Sequence, residues 1–356
     1  MGNDRTVNRR SVLQRSVALV GSASVIGLAG CLGGNGGDVD PDDYPNGEVE
    51  MIVPFSTGGG FDEYTRLSEP YWEEELGGDF VTRNIEGGGG ATGITQVYNA
   101  EPNGQTFSIY DSFQGTSQMI GRDVPFDITE MSYIGSITNT PGAFVVTEDA
   151  DIDDWDDFIN RIDEFNFATQ GQGSYGHTAV GILSLYIDEI DGTDINYVHF
   201  NGTGEVIAGL ERGEANVFYI STITSGVTVV KSLENASLFT VFETEDEIGG
   251  FLEEEGVETD YYSPELDVEN IEEFNESAYD RRFFLGPPDV PEEILKIQRD
   301  GFQSFINDDG FQEEMRNSGR PIINPGGPDA VKEYVNNAFE TLDQDDHREI
   351  LESYMN

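Results

Sequence analysis

The residues that could do chemistry cluster in two glycine-rich stretches, PFSTGGGFDEYTR at residues 54–66 and NIEGGGGATG at residues 84–93. Each follows a short apolar run and precedes a segment with helical spacing, so each predicts a glycine loop between a strand and a helix. Backbone N–H groups left without acceptors at a helix start converge at the positive end of its dipole, and such a loop holds anions. A Walker loop needs Lys and then Ser or Thr after its last glycine, whereas Phe61 and Asp62 follow here. A dinucleotide fingerprint needs G-x-G-x-x-G, and GGGFDE lacks that spacing. The plainer alternative is a tight turn at Gly58, Gly59 and Gly60, with Asp62 as a capping or first-turn acid. Two glycine loops at the carboxyl ends of neighbouring parallel strands favour binding, because open α/β sheets hold ligands in the crevice there.

Other chemistries find no support. The histidines His177, His199 and His347 are scattered without metal-ligand spacing. DADIDDWDDFIN, residues 149–160, lacks the central glycine and closing glutamate of a calcium loop and predicts a capped helix start. GQGSYG, residues 171–176, departs from G-x-S-x-G and brings no acid partner for Ser174. No metal, no cofactor and no catalytic residue is expected. Three sequons, at Asn201, Asn235 and Asn275, permit glycosylation outside the cell; Asn201 is expected near the cleft, so at most Asn235 and Asn275 are expected to carry it.

The elements that must position the loops are legible. Strands are predicted at 49–55, 79–85 and 106–112, with helices over 63–76 and 94–100, in the strand–loop–helix alternation of an α/β layer structure. The segment FNFATQGQGSYGH, residues 165–177, repeats the strand and glycine-loop pattern, and residues 195–221 give strand, loop, helix, strand. A second domain starts near Gly142. A loose acidic insertion spans about residues 245–280, after which FFLGPPDVPEEIL leads by Pro291 into a helix assigned back to the first domain.

Charge limits the partners. The 356-residue chain has 69 Asp plus Glu against 18 Lys plus Arg, a formal charge of −51, which makes nucleic acid a poor partner. The acids lie among 22 Phe and 15 Tyr in regular apolar periodicity, so the chain folds and carries the acids on its surface. Such a surface repels itself in dilute buffer and is screened in molar salt, which predicts an extreme halophile as the source. At the N-terminus Arg9 and Arg10 precede an uncharged stretch and then LAGC ending at Cys31. This pattern resembles a twin-arginine signal with a lipobox: residues 1–30 form the export signal, Cys31 is lipidated, and residues 31–47 are a flexible tether. The expected location is the outer face of the cytoplasmic membrane, held by the lipid. No later run approaches the roughly eighteen apolar residues of a membrane span.

From residue 49 onward the chain resembles the extracytoplasmic solute receptors of tripartite tricarboxylate transporters, the Bug or TctC type. VPFSTGGGFDEYTR is similar to the family's P-F-x-x-G-G-x-x-D-x-x-A-R, NIEGGGGATG to N-x-P-G-A-G-G-x-x-G, and AEPNGQTF to A-x-P-D-G-Y-T. GQGSYGH, YVHFNGTGEVIAGLERGEANVFY and FLGPPDVPEEILKIQRDGF continue the pattern in order. Ile85 and Glu86 replace the usual Pro-Gly, Thr65 an Ala and His199 a Pro.

The resemblance implies an α/β, type II periplasmic-binding-protein clamshell, each lobe a mixed sheet flanked by helices. Residues 48–142 with 244–356 would form one lobe and 143–243 the other. It implies a monomer that captures a small carboxylate and delivers it to large and small integral-membrane subunits. An exported enzyme, or a receptor reporting to a sensor, is the alternative on the same fold. Phe55 would wall the site, and the amides of Gly59, Gly60 and Phe61 would cradle a carboxylate. Asp62 is either the specificity residue or a first-turn acid. Gly89, Gly90, Ala91 and Ser112 would line the same space. From the second lobe come Gln170, Ser174, Tyr219 and Ser221, with His177 either touching the ligand or ordering its loop. No arginine lies in the two leading glycine loops, so neutral dipoles are expected to hold the anion.

Overall fold

The structure, a computed structural model, describes residues 40–187, 190 and 195–355. Arg9, Arg10, Cys31 and the export signal expected around them lie outside these residues, as does most of the tether.

The first strand β1 (Glu48–Val53) runs through the first glycine loop into α1 (Gly60–Leu76). β2 (Asp79–Asn84) and the second glycine loop lead to α2 (Ala91–Tyr98), then β3 (Thr106–Asp111) and α3 (Ser112–Gly121). Next come β4 (Met131–Thr140) and β5 (Ala143–Thr147), α4 (Trp155–Asn160), β6 (Asn166–Thr169) and α5 (Tyr175–Leu183). After these follow β7 (Asn196–His199), α6 (Thr203–Glu211), β8 (Val217–Ile220), α7 (Ile223–Ser232) and β9 (Ala236–Val241). α8 (Glu245–Glu255), β10 (Thr259–Tyr262), α9 (Ile271–Ser277) and β11 (Asp280–Pro288) lead to α10 (Glu292–Ile306). The chain ends in α11 (Asp309–Asn317), α12 (Pro328–Leu342) and α13 (Asp345–Met355).

The strands make two mixed sheets, ordered β2-β1-β3-β11-β4 and β10-β9-β5-β8-β6-β7. Each sheet holds one strand antiparallel to both of its neighbours, β11 in the first and β5 in the second. The chain passes from the first sheet to the second through Pro141 and Gly142, and returns at Asp280, whose Cα partner in the ladder is Thr140. The two crossings therefore lie side by side.

In α1 the buried face runs through Tyr64, Ser68 and Trp72 at four-residue spacing, with Leu67, Tyr71 and Leu76 at its partly buried margin. Trp72 packs among Phe80, Phe107, Phe284, Phe302 and Phe305, fastening α1 and α10 to one face of the first sheet. With its helix locked against the sheet, the glycine loop at the start of α1 is held at the sheet's carboxyl edge.

The acidic segment 245–280 differs from the expected loose insertion in the first lobe. It folds as α8, β10 and α9, and β10 pairs parallel to β9 at the edge of the second sheet. Ile248 and Leu252 bury one side of α8, and Ile271 and Phe274 one side of α9. The acids occupy the remaining faces, and so hide a short apolar stripe in a charged sequence. The second-sheet strands thus run beyond the expected boundary at residue 243. Among the described residues no helix is long and apolar enough to cross a membrane.

Candidate functional site

A cavity of about 520 Å³ opens where the carboxyl edges of the two sheets face each other. From the first lobe come the loop before α1 and the loop before α2; from the second come the loop before α5 and the loop before α6. With Ser221 from the loop before α7, five strand-to-helix loops share one space.

The first loop is set by Asp62. Its carboxylate accepts from the Gly58 amide at 2.9 Å, from Arg66 Nε at 2.9 Å and from Asn84 Nδ2 at 2.8 Å. Asn84 Nδ2 also donates to the Phe55 carbonyl at 3.0 Å, so the end of β2 is stitched across the loop. Burial works to raise the Asp62 pKa, but the Gly58 amide, Arg66 and Asn84 outweigh it and hold the carboxyl below its ordinary value. Asp62 is 4% exposed, both its oxygens are engaged, and it does not line the cavity. It is a loop organiser where a ligand contact was a candidate. Its relation to Arg66 is the ordinary i,i+4 pair of a helix. Replacing Asp62 by Ala leaves three donors without their acceptor, and urea denaturation should show a loss of about 1–3 kcal/mol.

The amides of Gly60, Phe61 and Asp62 belong to the first turn of α1 and have no intrahelical acceptor. Phe55 and Phe61 stack at 4.6 Å between centroids and wall the cavity beside them.

In the second loop Gly87, Gly88, Gly89 and Gly90 all have positive φ, a run that side-chain-bearing residues rarely adopt. The Gly90 amide donates to the Gly87 carbonyl at 3.1 Å, so it is spent inside the loop. Gln118 Nε2 donates to the Gly88, Gly89 and Gly173 carbonyls, and Gln114 Nε2 to Gly173 at 2.9 Å. These two glutamines from α3 clamp the second loop onto the second lobe. Gly89 and Gly90 line the cavity, whereas Ala91 sits at the start of α2 outside the lining. Ser112 is fully buried as the first residue of α3, away from the cavity.

In the second lobe, Ser174 caps α5 and lines the cavity; its Oγ is buried with no hydrogen-bond partner among the described residues. Gln170 also lines it and donates to Thr203 Oγ1 at 2.7 Å, which ties the two loops of this lobe together. His177 instead lies behind the loop. Its Nδ1 accepts from the Gly173 amide at 3.0 Å, and its ring packs on Tyr197, His199 and Tyr354. Burial, and secondarily His199, lower its pKa to about 3, so the ring is neutral. Of its two expected roles, ordering the loop is the one the contacts support. Tyr219 is buried at the Gly142 crossing, stacked on Tyr175, and does not reach the cavity. Ser221 does line it, donating to Asp280 Oδ2 at 2.7 Å.

Sequence reasoning missed Arg282. It comes from β11, is 3% exposed, and lines the cavity with its guanidinium 4.1 Å from the Phe61 ring centroid. Nε and Nη2 donate to Asp280 Oδ1 and Oδ2 at 3.1 and 2.9 Å, while Nη1 has no partner among the described residues. The ladder skips Ile137 at this step, pairing Arg282 with Thr138 and Phe283 with Ser136, the kind of irregularity that re-aims a side chain. The cavity therefore holds a buried cation beside the loop dipoles, one that the two leading glycine loops do not supply. The clue was a pair of arginines opening an otherwise apolar strand in a chain with 18 cations. The loop 200–204, expected near the cleft at Asn201 but not named among the site residues, lines the cavity and meets the first lobe where a Cβ on Gly202 would fall 2.8 Å from Ser56 Oγ.

Comparison with known proteins matches residues 66–243 to the model of the tripartite tricarboxylate transporter family receptor, TctC. The chain is 28% identical over 200 residues to protein BugT of Bordetella pertussis, covering 53% of this chain and 59% of that protein. It is 27% identical over 195 residues to a UPF0065 protein from the TAR-I ttuE-ttuC' intergenic region of Agrobacterium vitis, covering 54% and 56%. It thus spans less than two thirds of the length of either relative. The fold is similar to that of MatC from Rhodopseudomonas palustris, solved with bound malate, at a TM-score of 0.69 and 18% identity, covering 84% of this chain and 100% of that one.

Proposed function

The chain belongs to the tripartite tricarboxylate transporter family of receptors, and on that premise we propose that it captures a small carboxylate between its lobes and delivers it to the large and small membrane subunits of a secondary transporter. Receptors of this family are extracytoplasmic solute-binding proteins, so the work is binding and handing over, with no bond made or broken. The observation that carries the reading is the meeting of the starts of α1 and α5, from opposite lobes, on one cavity. Two positive helix ends suit an anion held between them. MatC, on the same fold, holds malate, a dicarboxylate.

Closure of the lobes would bring the loop before α5 over a ligand already seated at α1, and the closed form would be what the membrane subunits recognise. The protein works as a monomer, anchored through a lipid on Cys31 after twin-arginine export directed by Arg9 and Arg10. The lipid keeps it beside its transporter.

The test is a thermal-shift panel in molar KCl with malate, adipate, citrate, glutamate and benzoate. A ligand at a hundred times its Kd stabilises the fold by about 2.7 kcal/mol. Mass spectrometry should recover the bound molecule unchanged. Silence across the panel overturns the carboxylate reading, and consumption of the ligand points to the exported enzyme. Uptake in vesicles carrying the membrane subunits separates transport from sensing.

A further inference from the structure

We infer that Arg282 Nη1 takes a carboxylate of the ligand directly, making Arg282 a specificity-determining residue of the cleft; the inference rests on the receptor reading above. A buried guanidinium is favourable only when its donors are matched. Asp280 satisfies one edge of Arg282 with two hydrogen bonds, and the ring of Phe61 covers a face. The remaining donor, Nη1, is buried, without a partner among the described residues, on a side chain that lines the cavity. Such an unmatched donor is costly until something accepts from it, so an accepting ligand gains more here than at a solvated arginine.

The local backbone keeps that donor reachable. Gly60 is the first residue of α1, and a Cβ built on it would stand 2.3 Å from Nη1. Any side chain at this position would push the guanidinium aside. Charge selects the ligand as well. Arg282 and Glu86 are the charged residues lining the cavity among the described residues, and Glu86 lies in the exposed part of the second loop. Asp280 already pairs the guanidinium, so a carboxylate is drawn to this end by the open Nη1 donor and by repulsion from Glu86, with the unpartnered Ser174 hydroxyl lining the same cavity.

Titration calorimetry in molar KCl tests this with malate, adipate, citrate and benzoate, and with the carboxamide of whichever acid binds best. For a buried charge pair, replacing the acid by its amide, or Arg282 by Gln, should weaken Kd on the order of 30-fold or more. Arg282→Lys keeps the charge and loses the fork, and should lie between. Gly60→Ala keeps both Arg282 and Asp280 but displaces the guanidinium, and since Gly60 also lines the cavity it should weaken both ligands, the acid by more than its amide. It decides the matter if Arg282→Gln does not fold. If an acid binds the wild type and neither amide replacement nor Gly60→Ala changes Kd, Arg282 is structural and this inference is overturned while the receptor reading stands. If no acid binds, both fall.

Discussion

Asp280→Asn should cost about 3–5 kcal/mol of folding free energy, the usual loss when one partner of a buried ion pair is removed. Asp280 is 0% exposed and holds Arg282 through two hydrogen bonds while accepting a third from Ser221 on the second lobe. Asparagine would turn an N–H towards the guanidinium and leave the positive charge buried alone. A second carboxyl lies near. Burial first, and the charge of Asp280 second, raise the Asp111 pKa well above the carboxylate range, against the Gln114 amide and Arg282. Removing Asp280 takes away the second cause of that rise while burial stays, and leaves Asp111 as the acid whose charge Arg282 favours. The double variant with Asp111→Asn should therefore lose more than the two single losses added together. Urea denaturation in molar KCl measures all three. A single-variant loss below about 1 kcal/mol would mean that Arg282 finds another acceptor or water.

The second large effect is on acid stability through His177. With a folded pKa of about 3 against an ordinary value of about 6.5, the unfolded chain takes up a proton that the fold refuses. The stabilisation is complete above pH 6.5 and is lost as pH falls towards 3, at up to about 1.4 kcal/mol per pH unit. Asp111 works in the opposite sense, since a carboxyl with a raised folded pKa favours the fold as pH falls. The readout is therefore the difference from His177→Gln, which keeps an acceptor for the Gly173 amide. Between pH 7.5 and pH 5 the wild type should lose about 2 kcal/mol relative to the variant. Parallel pH profiles would show instead that the imidazole is solvated and titrates normally.

Both effects come from groups whose nearest partners are local, Arg282 for Asp280 and Gly173 for His177, but whose burial is made by elements far away in sequence, and this marks what could be read beforehand. The glycine loops, the helix behind each and the α/β alternation are local, written in spacing over ten to twenty residues, and they are where they were expected. Asp62 stayed open between a ligand contact and a first-turn acid, because spacing alone does not show which way its carboxylate turns. Asn84, which completes the cage around Asp62, arrives from the next strand. Arg282 joins Phe61 and Gly60 only once β11 has inserted into the sheet more than two hundred residues later in the chain. The acidic segment after residue 244 was hard to read for a different reason. Its buried stripe is two residues per helix, below what a periodicity argument can separate from a charged background.

The adjacency of the two interlobe crossings also has a mechanical meaning. Thr140 and Asp280 pair in one ladder, so the lobes are joined by a narrow ribbon. A ribbon flexes more easily about its flat face than in its own plane, and here α13, packed on both α3 and α5, and the α3 glutamines bonded to Gly173 add further ties between the lobes. Arg282 sits two residues along that ribbon from Asp280, so if a ligand grips it as proposed, the pull falls close to the crossings, where force has little leverage but small angular changes reach the far rim enlarged.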